Sequence, residues 1–301
     1  MIDNHHNIHP LSSFVEAIKQ VESSGKADFK MTNGDVAKLT RTKLLQNYEA
    51  ILRMAGIEQI LGESIGRAIG SEKVHLANVK LSHFADVPAY WVMPLGERIY
   101  HSRRLKSLPV GLLNRVAKLK DVRDAVMHGE QAAFGKEARK AIRQAYEDLL
   151  QHGKHTPTEA LRTRIEAVSR AKADNASAEE MLTTLRTLYQ AIESELEIRV
   201  AMKEAGIFKG ELPLVESIFE LMRASGRHRE IFKRDNLAWK FRASALVRNH
   251  LVHGSITTPT KRQSDVVTQA YQLLGQAVAE LRFKQSGGRA SAGEFRNNIT
   301  L

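Results

Sequence analysis

The chain has 301 residues, of which 43% are hydrophobic and 26% charged, a balance that suits globular domains with buried cores. It contains no Cys, which excludes disulfides, thiolate metal sites and Cys nucleophiles, and we expect a reducing, cytoplasmic location. The net charge of +11 favours a polyanionic partner, RNA first, and the low aromatic content of 6% predicts binding mostly through phosphates.

Residues 1–30 are predicted to form a flexible N-terminal arm. The opening "MIDNHHNIHP" lacks the basic head, apolar run and small-residue cleavage site of a signal peptide. Its His5, His6 and His9 suit a mobile polar segment better than a metal site. No stretch approaches the ~20 apolar residues of a membrane span, so a membrane is not an expected partner.

Apolar residues at helical spacing predict an all-α chain that begins with a helical bundle over residues 31–153. A helix is predicted over 35–54, followed over 57–69 by a second helix or a kinked extension. The pattern breaks over 71–107, which we interpret as an irregular insertion. Helices follow over 108–129 and 136–151.

The segment 154–175 is charged and weakly apolar, which predicts an exposed linker helix. A second bundle is predicted over 176–285, opened by the capping-box pattern of Ser177 and Glu180. Its helices are predicted over 177–205, 212–224, 235–253 and 264–283, with Trp239 placed on the apolar stripe of the third. Residues 286–301 form a small-residue, basic tail that we expect to be disordered.

The same local pattern occurs twice. "KDVRDAVMHGE" contains Arg123 and His128, and "LVRNHLVHGS" repeats the pair 125 residues later as Arg248 and His253. Downstream, Gln-Ala-Tyr recurs at the same offset, ending at Tyr146 and Tyr271, which we interpret as core residues. We therefore predict an internal duplication: two tandem up-and-down bundles related by pseudo-two-fold symmetry.

Arg and His are suited to phosphate chemistry. Arg offers a charged fork that matches phosphate oxygens, and His transfers protons near neutral pH. Five positions on a helix place the two side chains about 140° apart, so one motif alone does not converge. Two facing motifs can pool both pairs in one cleft. Asp124 and Asn249, four residues before each His, are predicted to orient the His ring.

The two segments "RDAVMHG" and "RNHLVHG" resemble the R-x4-6-H motif of HEPN domains, in the form that has Asn or Asp directly after the Arg. The resemblance implies small helical bundles that pair to build one composite site. It also implies a metal-independent endoribonuclease whose 2′-hydroxyl attack gives a 2′,3′-cyclic phosphate, in a toxin–antitoxin or phage-defence setting. The Tyr of the branch regulated by a nucleotidyltransferase antitoxin is absent here, where Glu130 and Ser255 stand.

Carried over to this chain, the resemblance implies that Arg123 and Arg248 bind the scissile phosphate. His128 and His253 would act as acid and base, with Asp124 and Asn249 as polar orienters. The expected function is an RNA endonuclease with an antitoxin or defence protein as partner, either as a monomer or as a homodimer. The alternative is a HEPN-like module that binds RNA or a nucleotide, or scaffolds a protein, without cleavage.

Basic stretches lie just upstream of each motif. They form either a solvated helix face or an electrostatic track for RNA, and the sequence favours neither. The chain has no P-loop, dinucleotide fingerprint, zinc-protease motif or nucleophile elbow, so we expect no cofactor and no catalytic metal. The candidate RNA-binding residues are Arg103, Arg104, Lys118, Lys120, Arg227, Arg229, Lys233 and Arg234.

Overall fold

The structure is a computed structural model that describes residues 12–30, 36–69, 93–127, 133–152, 155–171, 175–204, 206, 223–224 and 237–285. Over these residues the chain is mostly helical, which confirms the all-α prediction. The helices are α1 (Ser12–Ser24), α2 (Arg41–Ile69), α3 (Leu95–Arg104), α4 (Val110–Met127), α5 (Lys136–Gln151), α6 (Glu159–Ala171), α7 (Asn175–Glu204), α8 (Leu237–Val252) and α9 (Lys261–Gln285). Two short strands, β1 (Lys26–Lys30) and β2 (Val36–Thr40), pair antiparallel.

The prediction of a flexible arm is wrong for residues 12–30. Helix α1 buries Phe14, Val15 and Ile18 completely, and the strand after it pairs with β2. The ring of Phe14 lies 4.6 Å from that of Tyr189 on α7, centroid to centroid. Burial of this apolar face offsets the entropy cost that would otherwise leave a terminal segment mobile. Residues 1–11, with their three His, lie outside the described residues.

A strand occupies the place where the first helix was expected to begin. Residues 36–40 form β2, and α2 starts only at Arg41. The hydroxyl oxygen of Thr40 accepts the N–H of Lys43 at 3.3 Å, as an N-cap residue does. From there α2 is one helix to Ile69, so the break considered near residue 57 does not occur.

The proposed irregular insertion contains a helix. Residues 95–104 form α3, with Leu95 and Ile99 buried, so the description of 71–107 as irregular is wrong for this part. Pro109 then precedes α4, and its carbonyl accepts the N–H of Leu112. Residues 70–92 lie outside the described residues.

Helix α6 is not an exposed linker. It packs between α2 and α7 and buries Leu161, Ile165 and Val168. The main hydrophobic core consequently continues from α1 through α9, and a smaller cluster lies where α7, α8 and α9 meet. The two predicted bundles therefore share one core among the described residues, rather than standing apart on a linker.

The later helices begin and end close to the predicted positions. Helix α5 has the predicted bounds, and α9 starts at a capping box in which Thr260 and Gln263 bond to each other's backbone N–H groups. Helix α8 ends before Gly254, which has a φ of 68° and so takes the expected C′ conformation. None of the described helices has both the length and the apolar composition to span a bilayer. The predicted tail, 286–301, lies outside the described residues.

Candidate functional site

Arg123 of the first motif is held by two carboxylates. Its Nη2 lies 2.8 Å from Oε1 of Glu58 on α2, and its Nη1 donates to Oδ1 of Asp124 at 2.9 Å. The guanidinium is buried, and Glu58 is fully buried. Lys120, one turn earlier on α4, lies 3.0 Å from the other oxygen of Asp124. The first motif therefore presents its Arg inside an ion-pair network, where its orientation is fixed.

Arg248 of the second motif is held in a matching way. Its Nη1 donates to Oδ1 of Asn249 at 2.7 Å, and its Nη2 lies 3.1 Å from Oε2 of Glu195 on α7. In both motifs one guanidinium nitrogen thus bonds to the residue that follows the Arg. The other pairs with a Glu of the long helix that precedes the motif. Asn249 brings no charge, so the residue after Arg248 is a neutral amide where the residue after Arg123 is a carboxylate.

The two motifs meet within one chain. Glu58, which pairs with Arg123, also binds the ring of His253: its Oε2 lies 2.6 Å from Nδ1. Arg248 reaches back to the first motif helix, where its Nη2 donates to the carbonyl of Met127 at 3.2 Å. Met127 is the last residue of α4, whose terminal carbonyls lack helical partners and carry partial negative charge. Two separate contacts therefore join the first motif to the second.

A third arginine, Arg98 of α3, also contacts Glu58. It is buried, its Nη1 donates to the backbone carbonyl of Glu58, and its Nη2 lies 3.8 Å from the carboxylate. Burial by itself would raise the pKa of Glu58, but Arg123, His253 and Arg98 together hold that pKa far below its ordinary range. Glu58 is consequently an ionised carboxylate in the core, stabilised by two guanidinium groups and an imidazole from three other segments.

Among the three predicted catalytic residues that the structure describes, His253 is the most exposed. Its side chain is 27% exposed, although Nδ1 is bound to Glu58. Because Glu58 is ionised, Nδ1 carries the shared hydrogen, and Nε2 is left to exchange a proton with a ligand. The backbone here is fixed by Gln59, whose side-chain N–H group donates to the carbonyls of His253 and Gly254, each at 3.2 Å. His253 is therefore held both through its ring and through its backbone carbonyl.

Asn249 does not take the position predicted for it. It was expected to orient His253, but its side chain instead holds the guanidinium of the preceding Arg, as that of Asp124 also does. His128, which Asp124 was expected to orient, lies outside the described residues. The partner of the His253 ring is Glu58, which comes from a different helix. In each motif the residue after the Arg therefore orients the Arg. The two are neighbours in sequence, so the short side chain reaches Nη1.

The other residues singled out in the sequence are the basic RNA-binding candidates and the two tyrosines. Arg103, Arg104 and Lys118 are exposed, with Arg103 donating to Asn114 at 2.8 Å, and Lys120 is tied to Asp124. The predicted core role of Tyr146 is confirmed, and Tyr271 is half-buried with its hydroxyl donating to Glu193. The residues that lie outside the described ranges are His128, Arg227, Arg229, Lys233 and Arg234.

Sequence analysis missed Glu58, Glu195 and Arg98. A pattern that points to the first two is present: each Glu stands seven residues after a buried aliphatic residue, Ile51 or Leu188, and so occupies the apolar face of its helix. A charged residue on such a face requires a partner. Arg98 gives no comparable indication, because its helix was not predicted.

Comparison with protein-family models, with curated proteins and with solved structures found no match to this chain. Within the described ranges, His, Asp and Glu side chains form no group of three or more that is placed to share a metal ion. The arrangement itself offers guanidinium groups that carry positive charge and an imidazole fixed at one nitrogen.

Proposed function

We propose that this chain is a metal-independent RNA endonuclease whose site combines two HEPN-type motifs. The observation that carries the proposal is the position of Glu58, which binds Arg123 of one motif and His253 of the other. A single polypeptide can therefore assemble a site from both motifs. The basic charge of the chain, +11, favours an RNA substrate.

The proposal includes two related HEPN-like bundles, and matching contacts support it. In each half the motif Arg pairs with a Glu of the preceding long helix, Glu58 or Glu195. In each half the Tyr found 23 residues after that Arg reaches the same long helix two residues before the Glu. Tyr146 lies against Gly56, and Tyr271 bonds to Glu193. Equivalent residues thus make equivalent contacts.

In the proposed reaction the 2′-hydroxyl of RNA attacks the adjacent phosphorus, and the bond from phosphorus to the 5′-oxygen breaks. Nε2 of His253 exchanges the proton of the attacking or the leaving oxygen, and Glu58 holds the ring at Nδ1. Arg248, whose neighbour Asn249 is uncharged, supplies positive charge to the phosphate, with His128 as the second acid–base group. The products are a 2′,3′-cyclic phosphate and a 5′-hydroxyl.

The setting that we propose is a toxin or phage-defence effector, for which the motif resemblance is the support. Such an effector is kept inactive by a protein partner until it is needed. Co-purification from its native host would identify a partner, and addition of that partner to a cleavage assay should suppress product formation.

The test is incubation of the purified protein with end-labelled single-stranded RNA in EDTA. We expect cleavage to cyclic-phosphate ends by the wild type, and loss of cleavage in the His128→Ala/His253→Ala double variant. His250→Ala is the matched control, because its ring lies on the same helix but bonds to Ser255 instead of Glu58. Cleavage that survives in the double variant would contradict the proposal.

A binding module that does not cleave is the second candidate, and one observation favours it. Arg123 is buried between Glu58 and Asp124, which neutralise its charge and leave it little freedom to grip a phosphate. This candidate predicts RNA binding in EDTA and in Mg²⁺ with intact RNA in both. Arg248→Ala would then weaken binding, whereas in a nuclease it should abolish cleavage and leave much of the binding.

A further inference from the structure

The outer face of α8 exposes a large aromatic side chain. Trp239 is 54% exposed, although the sequence pattern placed it on the apolar stripe of the helix. Phe241, two residues later, is buried in its place among side chains of α7 and α9. An exposed Trp on a helix that packs well through its other face is a common feature of binding surfaces.

Trp239 lies on the same side of α8 as His253. At 100° per residue, five positions fall within about 80° of one another. The four on α8 itself lie opposite its buried face, and His253, just past the end of the helix, is 27% exposed with Nδ1 turned to Glu58. The helix rise of 1.5 Å per residue places the first about 21 Å from the last. We call this set the outer stripe: Trp239, Arg242, Leu246, Asn249 and His253.

The charge of α8 suits a polyanion. The helix contains Lys240, Arg242 and Arg248 and no acidic residue. The equivalent stripe on α4, 125 residues earlier, differs: Asn114 stands in place of Trp239, and Asp121, 94% exposed, in place of Leu246. Of these two stripes, the one on α8 combines an exposed aromatic ring, Trp239, with an exposed arginine, Arg242, and such a combination binds single-stranded nucleic acid.

We propose that the outer stripe of α8 binds single-stranded RNA. One unpaired base stacks on Trp239, a neighbouring phosphate lies near Arg242, and the strand continues to His253. The inference rests on the proposed function, because it takes His253 as the point of cleavage. A paired base keeps its faces inside the duplex, so stacking on Trp239 selects single strands. The distance of about 21 Å suits a site of a few nucleotides, at the short end of the usual range of about 4–16.

The experiment uses Trp239 as its own probe. The chain has two Trp, so Trp91→Phe leaves Trp239 as the sole source of Trp fluorescence. The ligand is a 2′-O-methyl oligouridylate of about 12 nucleotides, within the usual site range, which lacks the attacking hydroxyl and stays intact. We expect saturable quenching by this single strand, and none by a duplex of the same length.

Affinity gives a second measurement. Trp239→Ala in the otherwise unchanged chain should lower the affinity for the single strand about 5- to 150-fold, the loss of one stacked base. Tyr100→Ala is the control, because Tyr100 is an equally exposed aromatic residue on α3, 58% exposed, and its removal should leave the affinity unchanged. Circular dichroism of each variant confirms that the helices persist.

The outcomes separate this inference from the proposed function. Quenching and a Trp239-dependent affinity, without cleavage of unmodified RNA, would support the stripe and contradict the nuclease. Cleavage with unchanged affinity in Trp239→Ala would support the nuclease and overturn the stripe. RNA binding without quenching would overturn it as well. A change from dimer to monomer in Trp239→Ala, seen by sedimentation, would assign the stripe to contact between copies and overturn the inference.

Discussion

Glu58 lies fully buried among two guanidinium groups and one imidazole, so the cations around it depend on its charge. Glu58→Gln keeps the shape but leaves Arg98 and Arg123 without that charge. We expect it to lower the free energy of unfolding by about 3–5 kcal/mol, the usual cost of breaking a buried ion pair. Urea unfolding near neutral pH measures the loss.

The control for Glu58→Gln is Glu166→Gln on α6. Glu166 also faces an arginine, Arg170, at 4.0 Å, but both side chains are more than 70% exposed, and such pairs contribute about 0–1 kcal/mol. Because the folded pKa of Glu58 lies below its ordinary 4.5, its contribution is complete above that pH and shrinks below it. Equal losses in the two variants would contradict the importance of the buried network.

Glu193 on α7 is a second buried carboxyl, and its pKa is shifted upward, opposite to that of Glu58. Burial raises its pKa to about 8, although the N–H of Val15 and the hydroxyl of Tyr271 donate to it. The folded protein thus holds a proton that the unfolded chain releases above pH 4.5. Its contribution to stability is full below pH 4.5 and is lost as the pH rises to about 8, by up to about 1.4 kcal/mol per pH unit.

Glu193→Gln should remove this dependence on pH, because the amide cannot ionise and still offers an oxygen to Val15 and an N–H to Tyr271. The free energy of unfolding, measured from pH 5 to 8.5, should fall more steeply in the wild type than in the variant. The Glu166→Gln protein, changed only at the surface, should keep the wild-type slope. Parallel curves for wild type and Glu193→Gln would show that Glu193 is ionised throughout.

At the scale of the elements, the end of α8 is packed closely against α2 and α6. A Cβ atom on Gly254 would lie 2.9 Å from the side chain of Leu161 on α6 and 3.0 Å from Cβ of Ala55 on α2. The residue also has a φ of 68°, which favours Gly. Gly254→Ala should therefore destabilise the protein through both backbone strain and overpacking.

Substitution of Gly206 measures the cost of backbone strain separately from the cost of overpacking. Gly206 has a φ of 66°, but a Cβ atom there would have no neighbour within 4 Å among the residues that the structure describes. Gly206→Ala should cost about 1–2 kcal/mol for backbone strain alone, and Gly254→Ala about 1–3 kcal/mol more for overpacking. Thermal and urea unfolding of both variants decide this. Equal effects would mean that α8 does not end in tight contact with α2 and α6.

The helical elements could be predicted where apolar spacing was regular and capping residues were present. Helix α5 has its predicted bounds, and α7 and α8 differ from theirs by one to two residues. The hairpin was missed because the alternation in β2 covers only five residues, and its apolar side chains also fit a helical period. The role of α6 was missed because its buried face has few large residues, which the charged remainder obscured.

The site was predictable only where its residues are close in sequence. The Arg and His of each motif were identified because they repeat at a fixed offset. Glu58 lies 65 residues before Arg123 and 195 before His253, and no local pattern relates them. Such contacts depend on how helices pack, which local sequence patterns do not reveal. On α8 the predicted apolar stripe is buried at Val247 and Leu251, but Trp239 was misplaced on it, since Phe241 is equally apolar.

At the scale of the whole molecule, the halves of the chain are joined by one core. Val15 of α1 donates to Glu193 of α7, Phe14 packs on Tyr189, and α6 lies between α2 and α7. We expect a fragment of residues 175–301 to lack a cooperative unfolding transition, because the apolar face that α7 buries against α1, α2 and α6 would be exposed. Calorimetry compares it with the full chain, which should give one transition.

Co-expression supplies the control for the fragment. Residues 1–172 and 173–301, produced together as separate chains, should associate and regain the transition, since the missing surface is restored. A fragment 175–301 that unfolds cooperatively, with the midpoint of the full chain, would instead establish two independent bundles.

The contact between Glu58 and His253 has a consequence for how the protein responds to dilution. A composite site built from two chains disappears when the concentration falls below the dissociation constant of the dimer. Here both contributors belong to one polypeptide, so their encounter is intramolecular and its effective concentration is set by the fold. If the chain is the proposed nuclease, cleavage per molecule should stay constant as the protein is diluted, and an inactive variant mixed in with the wild type should not lower the wild-type rate at saturating RNA.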